Sequence, residues 1–524
     1  MSNSNLDMVS YLENKFGDKI QIQQGTLEAG AIMTNNDLHY DVLKAMIEAD
    51  EKTGITAITG LDFGENLGVY YHVHTAKDFF TIKAEVPKAD PKIKTVVDIH
   101  PGAAFHELEV TDLLGVIFVG NEFQGHFVLS ENWPDGVYPL RKDVDATNVQ
   151  LVPTPEREAN KNAEGRQVKI IIGPQHPALL EPEKFSVTVD GETVTKVEPR
   201  IGYVHRGIEK SSESRTYLQD TYLVERVCGI CNPIHAYAFV STVEKILKPA
   251  VPERAEYLRV IALELNRLHS HLLTLGHAGL EIGYETLFQY FWRDREPIMD
   301  LIELTSGNRV YGSLITVGGV RRDITPDQIP KIREVLKDFR GKLPFYRKLY
   351  EDEPTIRLRM KDVGTLSRED ALKLSVVGPV ARGSGVDMDI RKTQPYSVYK
   401  DIPFNQIVYT DGDTWARMNV RMDEVEESVN IIEYALDHLP SGPIRVEVPR
   451  SVPAGEAVSC VEAPRGELFY YVRSNGTDMP DRVKIRTPTF ANIPAFLKTA
   501  IGESIADVPS NFVSLDPCFS CTDR

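Results

Sequence analysis

Glu225-Arg226-Val227-Cys228-Gly229-Ile230-Cys231-Asn232-Pro233-Ile234-His235 and Asp516-Pro517-Cys518-Phe519-Ser520-Cys521-Thr522-Asp523-Arg524 decide how this chain is read. Each stretch holds one C-x-x-C pair. A thiolate is a soft ligand, and such a pair clamps one side of a metal ion. Four sulfurs complete one tetrahedral or distorted square site. Most of the second half of the chain separates the pairs, so only a folded body brings them together. The commonest use of two such pairs is structural zinc. Zinc ribbons, however, place their pairs some tens of residues apart, and a zinc clip would be an odd use of the last residues.

The chain has 524 residues, 42% hydrophobic and 26% charged, which suits two or three domains of ordinary composition. A net charge of −17 argues against a nucleic-acid partner. Five cysteines do not make a disulfide framework in a chain of this length; reduced thiols in a reducing compartment fit better. No segment reaches the roughly 20 apolar residues of a bilayer span. Met1–Lys15 has no apolar signal core. The uncharged stretch Val227–Val243 contains Asn232, Pro233 and His235 and reads as a buried site segment.

The expected fold class is α+β: a small N-terminal α+β domain, then a large, mainly helical bundle domain with small peripheral sheets. Residues 1–150 make the first domain. A helix is expected over Asp37–Ala49, capped by Asn35 or Asn36, followed by strands Ile55–Phe63, Leu67–Thr75, Phe79–Val86 and Thr95–Ile99. Residues 151–167 are polar, without apolar period, and read as a linker. The second domain, 168–524, opens with strand Val168–Ile172 and a hairpin around Asp190-Gly191. Helices are expected from Pro252 to about Gly276, Tyr284–Leu304 and Asp413–His438.

The two quoted stretches resemble the first and last metal-binding motifs of NiFe-hydrogenase large subunits, and His205-Arg206-Gly207-Ile208-Glu209-Lys210 sits upstream at that family's spacing. Gly173-Pro174-Gln175-His176-Pro177, Asn266–Leu273 and Arg382-Gly383-Ser384-Gly385-Val386-Asp387 resemble the 49-kDa-type subunit of respiratory complex I. His100–Gly115 and Pro139–Asp143 resemble its 30-kDa-type subunit. Together they resemble the membrane-associated, energy-converting hydrogenases, and the fusion of both modules is typical of formate hydrogenlyase large subunits. The first domain contains no cysteine and is assigned to docking.

The resemblance implies a hydrogenase that evolves H2 from protons, reversibly, at a nickel–iron centre carrying CO and cyanide on iron. It makes Cys228 and Cys518 terminal nickel ligands and Cys231 and Cys521 bridges to iron. Cys518 then receives the proton. Glu181, in Leu180–Phe185, relays it, since a desolvated carboxyl titrates near neutrality; Glu183 is the rival. Arg226 and Arg465 supply positive charge at the iron ligands, Asp516 orients such an arginine, and Pro464 walls the pocket. His235 either donates to a thiolate or is a core histidine. Cys460 reads as a buried small hydrophobe. Glu209 matches a family position that holds magnesium, but Arg524 stands where the family has a histidine, so an ion pair is equally open. The sequence stops three residues past Cys521, where relatives are cut after metal insertion: either a processed form or a gene without the extension.

Expected partners are a small subunit with a 4Fe–4S cluster, polyferredoxin-like and antiporter-like membrane subunits, and a formate dehydrogenase. The location implied is cytoplasmic, peripheral on the inner face of the cell membrane. Two alternatives stand beside this reading: a complex I-type quinone-docking subunit without nickel, and a structural zinc protein. Quinone-docking relatives generally lack all four cysteines and carry a histidine where this chain has Leu180.

Overall fold

The computed structural model describes residues 7–24, 27–34, 37–122, 125–153 and 167–524. The first module is built on a five-stranded sheet of β1 (Ile20–Gln24), β2 (Gly30–Thr34), β3 (Gly54–Asp62), β4 (Asn66–His74) and β5 (Phe79–Pro87), in the order β1-β2-β5-β4-β3. β3, β4 and β5 form an antiparallel meander, and β2 joins β5 in parallel. Alternate side chains of a strand point to opposite faces. On β4, Val69, Tyr71 and Val73 enter the core shared with Val42, Leu43 and Met46 of helix Leu38–Ala49. Tyr70 faces the other way, against Tyr471, and His72 packs on Phe469 with tilted rings whose centroids are 4.7 Å apart. Both faces of the β3–β5 part of this sheet are therefore buried, the second by the other module.

Two expectations change here. The helix at 38–49 has Asp37 as its N-cap residue, whose side chain accepts from Lys94 N (3.2 Å) and not from a helix N–H, while Asn35 and Asn36 lie outside the described residues. Thr95–Ile99 is not a strand; the strand is Lys92–Lys94, paired in parallel with Ile117–Val119. The buried Glu107 carboxylate explains this. It accepts from Thr95 Oγ1 (2.6 Å) and Val96 N (2.9 Å), and the chain turns so that His100 N donates to Val96 O at 2.8 Å.

Most of the expected linker, 154–166, lies outside the described residues. Beyond it, Gln167–Ile172, Lys184–Asp190 and Thr193–Arg200 form a sheet whose hairpin pairs Thr193 with Asp190. The long helices are Asn232–Leu247, Glu253–Glu281, Glu285–Ser306, Gln328–Asp352 and Thr414–Asp437. Leu258, Ile261, Leu265, Leu268 and Leu272 are all buried, as their spacing requires. Glu253–Glu281 runs past Gly276 because its glycines are contact points. A Cβ at Gly276 would lie 3.0 Å from Phe291 Cβ, and one at Gly279 3.0 Å from Leu287 Cβ. Asp413 caps the last long helix through Ala416 N at 2.7 Å. A three-stranded sheet, Gly455–Ala463, Gly466–Ser474 and Pro480–Arg486, packs one face on helix Asn232–Leu247. Its other face meets the first module: Val458, Phe469 and Tyr471 share a core with Ala57, Leu61 and Phe79.

Candidate metal centre

Cys231 is the N-cap residue of helix Asn232–Leu247, where backbone N–H groups and the helix dipole favour a thiolate. Cys228, one turn earlier, accepts from Ile230 N (3.2 Å) and Cys231 N (3.4 Å). Cys518 caps the short helix Phe519–Asp523, and Thr489 Oγ1 accepts from its N–H at 3.1 Å. The two clips meet. Cys228 and Cys518 sulfurs are 3.3 Å apart, and those of Cys228, Cys518 and Cys521 lie within 4.8 Å of one another. Cys231 is in contact with both Cys228 and Cys521, so the group is fourfold and buried. The neighbouring Cys228 sulfur holds the Cys518 thiol up at about 11, while contacts with Cys228 and Cys521 draw Cys231 well below its ordinary value. Four soft donors in one dry pocket, short of the charge to ionise together, fit a soft transition-metal centre.

Arg465 reaches this group from a two-residue hairpin turn, Pro464-Arg465. Nη1 donates to Cys231 Sγ (3.3 Å) and Ser270 Oγ (3.0 Å), Nη2 to Asp516 Oδ1 (2.7 Å) and Nε to Asp516 O (2.8 Å). The turn is seated backbone on backbone: Gly466 has φ +127°, and a Cβ there would lie 2.7 Å from Gly378 N. Pro464 is buried beside it. Asp516 itself sits at φ 56°, immediately before Pro517. His235 lies with Nε2 3.5 Å from Cys521 Sγ and Nδ1 2.8 Å from Tyr470 OH. Burial lowers its pKa to about 3, so it is neutral; in the tautomer whose Nδ1 accepts from tyrosine, Nε2–H faces the sulfur.

Glu181 accepts from Ser520 N at 2.7 Å and from Ser520 Oγ, which is 3.5 Å from Cys518 Sγ. Desolvation, with Cys518 adding, raises its carboxyl to about 7. Glu183 is fully buried and faces Asp523 instead; desolvation and that carboxylate push it up to about 12.

Two expected residues stand elsewhere. Arg226 is exposed, pairs with Glu225 at 2.7 Å and lies 4.8 Å over the Tyr311 ring; it makes no hydrogen bond to a sulfur. Glu209 does not fit a magnesium ion. Its carboxylate meets Arg482 Nη2 (2.8 Å), Arg524 Nε (3.2 Å), Lys484 Nζ (3.5 Å) and Ile485 N (3.1 Å), so cations already fill the space a metal would need. The ion-pair alternative is the one the geometry displays. Cys460 lies outside the sulfur group, on strand Gly455–Ala463, and is half-buried rather than buried as expected.

Sequence reading missed Ser270, Ser520, Tyr470 and the Glu183–Asp523 pair. Ser270 and Ser520 stand inside quoted motifs, where a hydroxyl beside a ligand was a usable signal. Tyr470 carries none, because its link to His235 crosses 235 positions.

Residues 281–452 and 449–524 match the family described as respiratory-chain NADH dehydrogenase, 49 Kd subunit; residues 24–150 match its 30 Kd subunit; residues 206–278 match nickel-dependent hydrogenase. The membrane-bound hydrogenase subunit alpha of Pyrococcus furiosus is 43% identical over 68% of this chain and 87% of its own length. Formate hydrogenlyase subunit 5 of Escherichia coli is 36% identical over 87% of this chain and 82% of its own. The NADH-quinone oxidoreductase C/D subunit of Bacteroides fragilis is 35% identical over 93% of this chain and 98% of its own. Among solved structures, a chain of the archaeal membrane-bound sulfane sulfur reductase superposes with TM-score 0.66 at 33% identity, covering 68% of this chain and 99% of that one. The chain therefore belongs to the complex I-related family of NiFe-hydrogenase large subunits, in the form that carries a fused 30-kDa-type complex I module.

Proposed function

We propose that this chain is the catalytic subunit of a NiFe hydrogenase that reduces protons to H2, and reversibly oxidises H2. The observation that carries this reading is the convergence of four buried sulfurs from two distant clips into one group. Cys228 and Cys518 would hold nickel, and Cys231 and Cys521 would bridge to an iron bearing CO and cyanide. When bound, that centre would supply the Lewis acidity for making or cleaving the H–H bond, passing on two electrons as H2 forms and receiving two as it is split.

The chain's own residues handle the proton and the field. Cys518 Sγ takes the proton, and the Ser520 hydroxyl lies between that sulfur and Glu181, whose carboxyl accepts and releases it near neutral pH. Arg465, fixed by Asp516 and Ser270, holds positive charge and an N–H against Cys231. His235 donates to Cys521 without adding charge. Leu273, Val513 and Pro517 keep an apolar wall beside Asp516.

With four cysteines committed, Cys460 alone holds no cluster, so electrons come from a partner subunit carrying 4Fe–4S. By likeness to its relatives, the assembly is a membrane-associated formate hydrogenlyase-like or energy-converting complex, with polyferredoxin-like and antiporter-like subunits and a formate dehydrogenase as further partners. Among the described residues no helix is long and apolar enough to cross a membrane, so attachment to the inner face of the membrane would run through those subunits. We take 1–150 as the docking module, 151–167 as linker and 168–524 as the catalytic module.

Metal analysis of the purified complex, with infrared spectroscopy, tests the reading. One nickel and iron per chain with CO and cyanide bands is the expected result. Zinc alone, or no metal, would overturn it in favour of a scaffold or a quinone-docking subunit.

A further inference from the structure

The first module touches the segment that carries Cys518 and Cys521. Glu109, on helix Ala104–Leu114, is 2% exposed. Its carboxylate pairs with Arg524 Nη2 and with Lys484 Nζ at 2.5 Å. Arg524 Nε also reaches Glu209, as do Arg482 and Lys484. Three cations thus face two carboxylates in a buried space between the modules, and one carboxylate belongs to the module that holds no metal ligand. Arg524 is tied further back to the tail. Its Nη1 donates to Thr522 O (2.6 Å), its main-chain oxygen accepts from Arg206 N (3.1 Å), and Arg206 Nη2 donates to Ser520 O (2.6 Å).

We propose that Glu109 is a positioning residue for the Cys518/Cys521 clip, so that the first module, besides docking, holds half of the metal-binding set in place. The helix Phe519–Asp523 has five residues, too few to sustain itself. Its far end is held by Asp523, whose Oδ2 accepts from Gly202 N (2.9 Å) and Val204 N (3.0 Å), and by Arg524. Without Glu109, three buried cations share Glu209. Arg482 and Lys484 are laddered into strand Pro480–Arg486, so Arg524 is the cation that can shift, and its shift loosens the tail it belongs to. This inference deepens the metal-centre reading, but its test needs no metal.

The full-length chain, stripped of metal, is treated with iodoacetamide, and modification is followed cysteine by cysteine by mass spectrometry. In Glu109→Ala and in the isosteric, uncharged Glu109→Gln, Cys518 and Cys521 are expected to react about tenfold faster or more, since breaking a buried ion pair shifts equilibria at least that far. Cys460 should keep its rate. Ser375→Ala, which removes the 2.8 Å partner of His100 at the same interface, should change neither. In cells, Glu109→Gln should lower nickel content while Ser375→Ala does not. Unchanged reactivity of Cys518 and Cys521 in both Glu109 variants would overturn the proposal, as would an equal rise in Ser375→Ala, which reports only loosened modules. If Glu109→Ala does not fold, the Glu109→Gln result decides. A zinc-loaded native chain would remove the nickel–iron reading and leave the alkylation result intact.

Discussion

Replacing Arg465 with alanine removes four hydrogen bonds at once, to Asp516 O, Asp516 Oδ1, Ser270 Oγ and Cys231 Sγ. The heavier consequence is what stays behind. Asp516 is 3% exposed, its Oδ2 already has no donor, and it lies two residues from Cys518. Removing one member of a buried ion pair costs about 3–5 kcal/mol, a large share of the ~5–15 kcal/mol that stabilises a domain. Arg465→Lys keeps one charge, but a single ammonium does not span aspartate, serine and sulfur together; the loss expected is about 1.5–3 kcal/mol, one charged hydrogen bond. The double variant Arg465→Ala/Asp516→Ala removes the stranded carboxylate and should recover most of the stability without recovering catalysis. Thermal unfolding of the metal-free chain measures the first quantity, and H2 evolution by the loaded complex the second, where a misplaced outer-sphere donor typically costs about 10–100-fold. If Arg465→Ala unfolds with the parent, or the double variant is no more stable than the single one, the assignment of Arg465 to Asp516 is wrong.

Cys228→Ala and Cys521→Ala should each abolish nickel binding and H2 production; metal analysis showing nickel retained in either would remove that residue from the ligand set. Glu181→Gln should keep both metals and lose H/D exchange by about 10²-fold or more, the usual worth of a positioned acid–base group; unchanged exchange would move the relay to another group. His39 is buried, bonded to Lys94 O at 2.9 Å and stacked on Tyr71, and desolvation lowers its pKa from 6.5 to about 4. The folded state thus binds fewer protons than the unfolded one in that window. The stabilisation, at most about 3 kcal/mol, is complete above pH 6.5 and lost as pH falls toward 4. Unfolding curves of His39→Gln should be flatter over this range, and an acid limb as steep as the parent's would refute the linkage.

How far the residues spoke for themselves varies from place to place. The meander β3–β5 was legible because β-branched and aromatic runs are bounded by turn residues. Helix Glu253–Glu281 was legible from its apolar spacing, but not its end, since glycines that stop an exposed helix also let two helices approach closely. Thr95–Ile99 carries strand residues, and a local preference lost to the buried Glu107 carboxylate that claims its backbone. Glu181 and Arg465 were readable only because they stand in motifs; their partners Ser520 and Asp516 stand in the same tail, whereas Ser270 and Tyr470 come from a distant helix and strand.

Sequence alone determined the chemistry available: two dithiol clips, one arginine beside a proline, an acid upstream and two modules in series. Those are covalent facts about neighbours along the chain. Tertiary structure alone decided which groups share a pocket. It turned Arg226 outward, filled the Glu209 site with cations and brought Glu109 of the first module against Arg524. Contacts of that kind arise when buried charges must find opposite charges, and the search crosses hundreds of positions that no local pattern records.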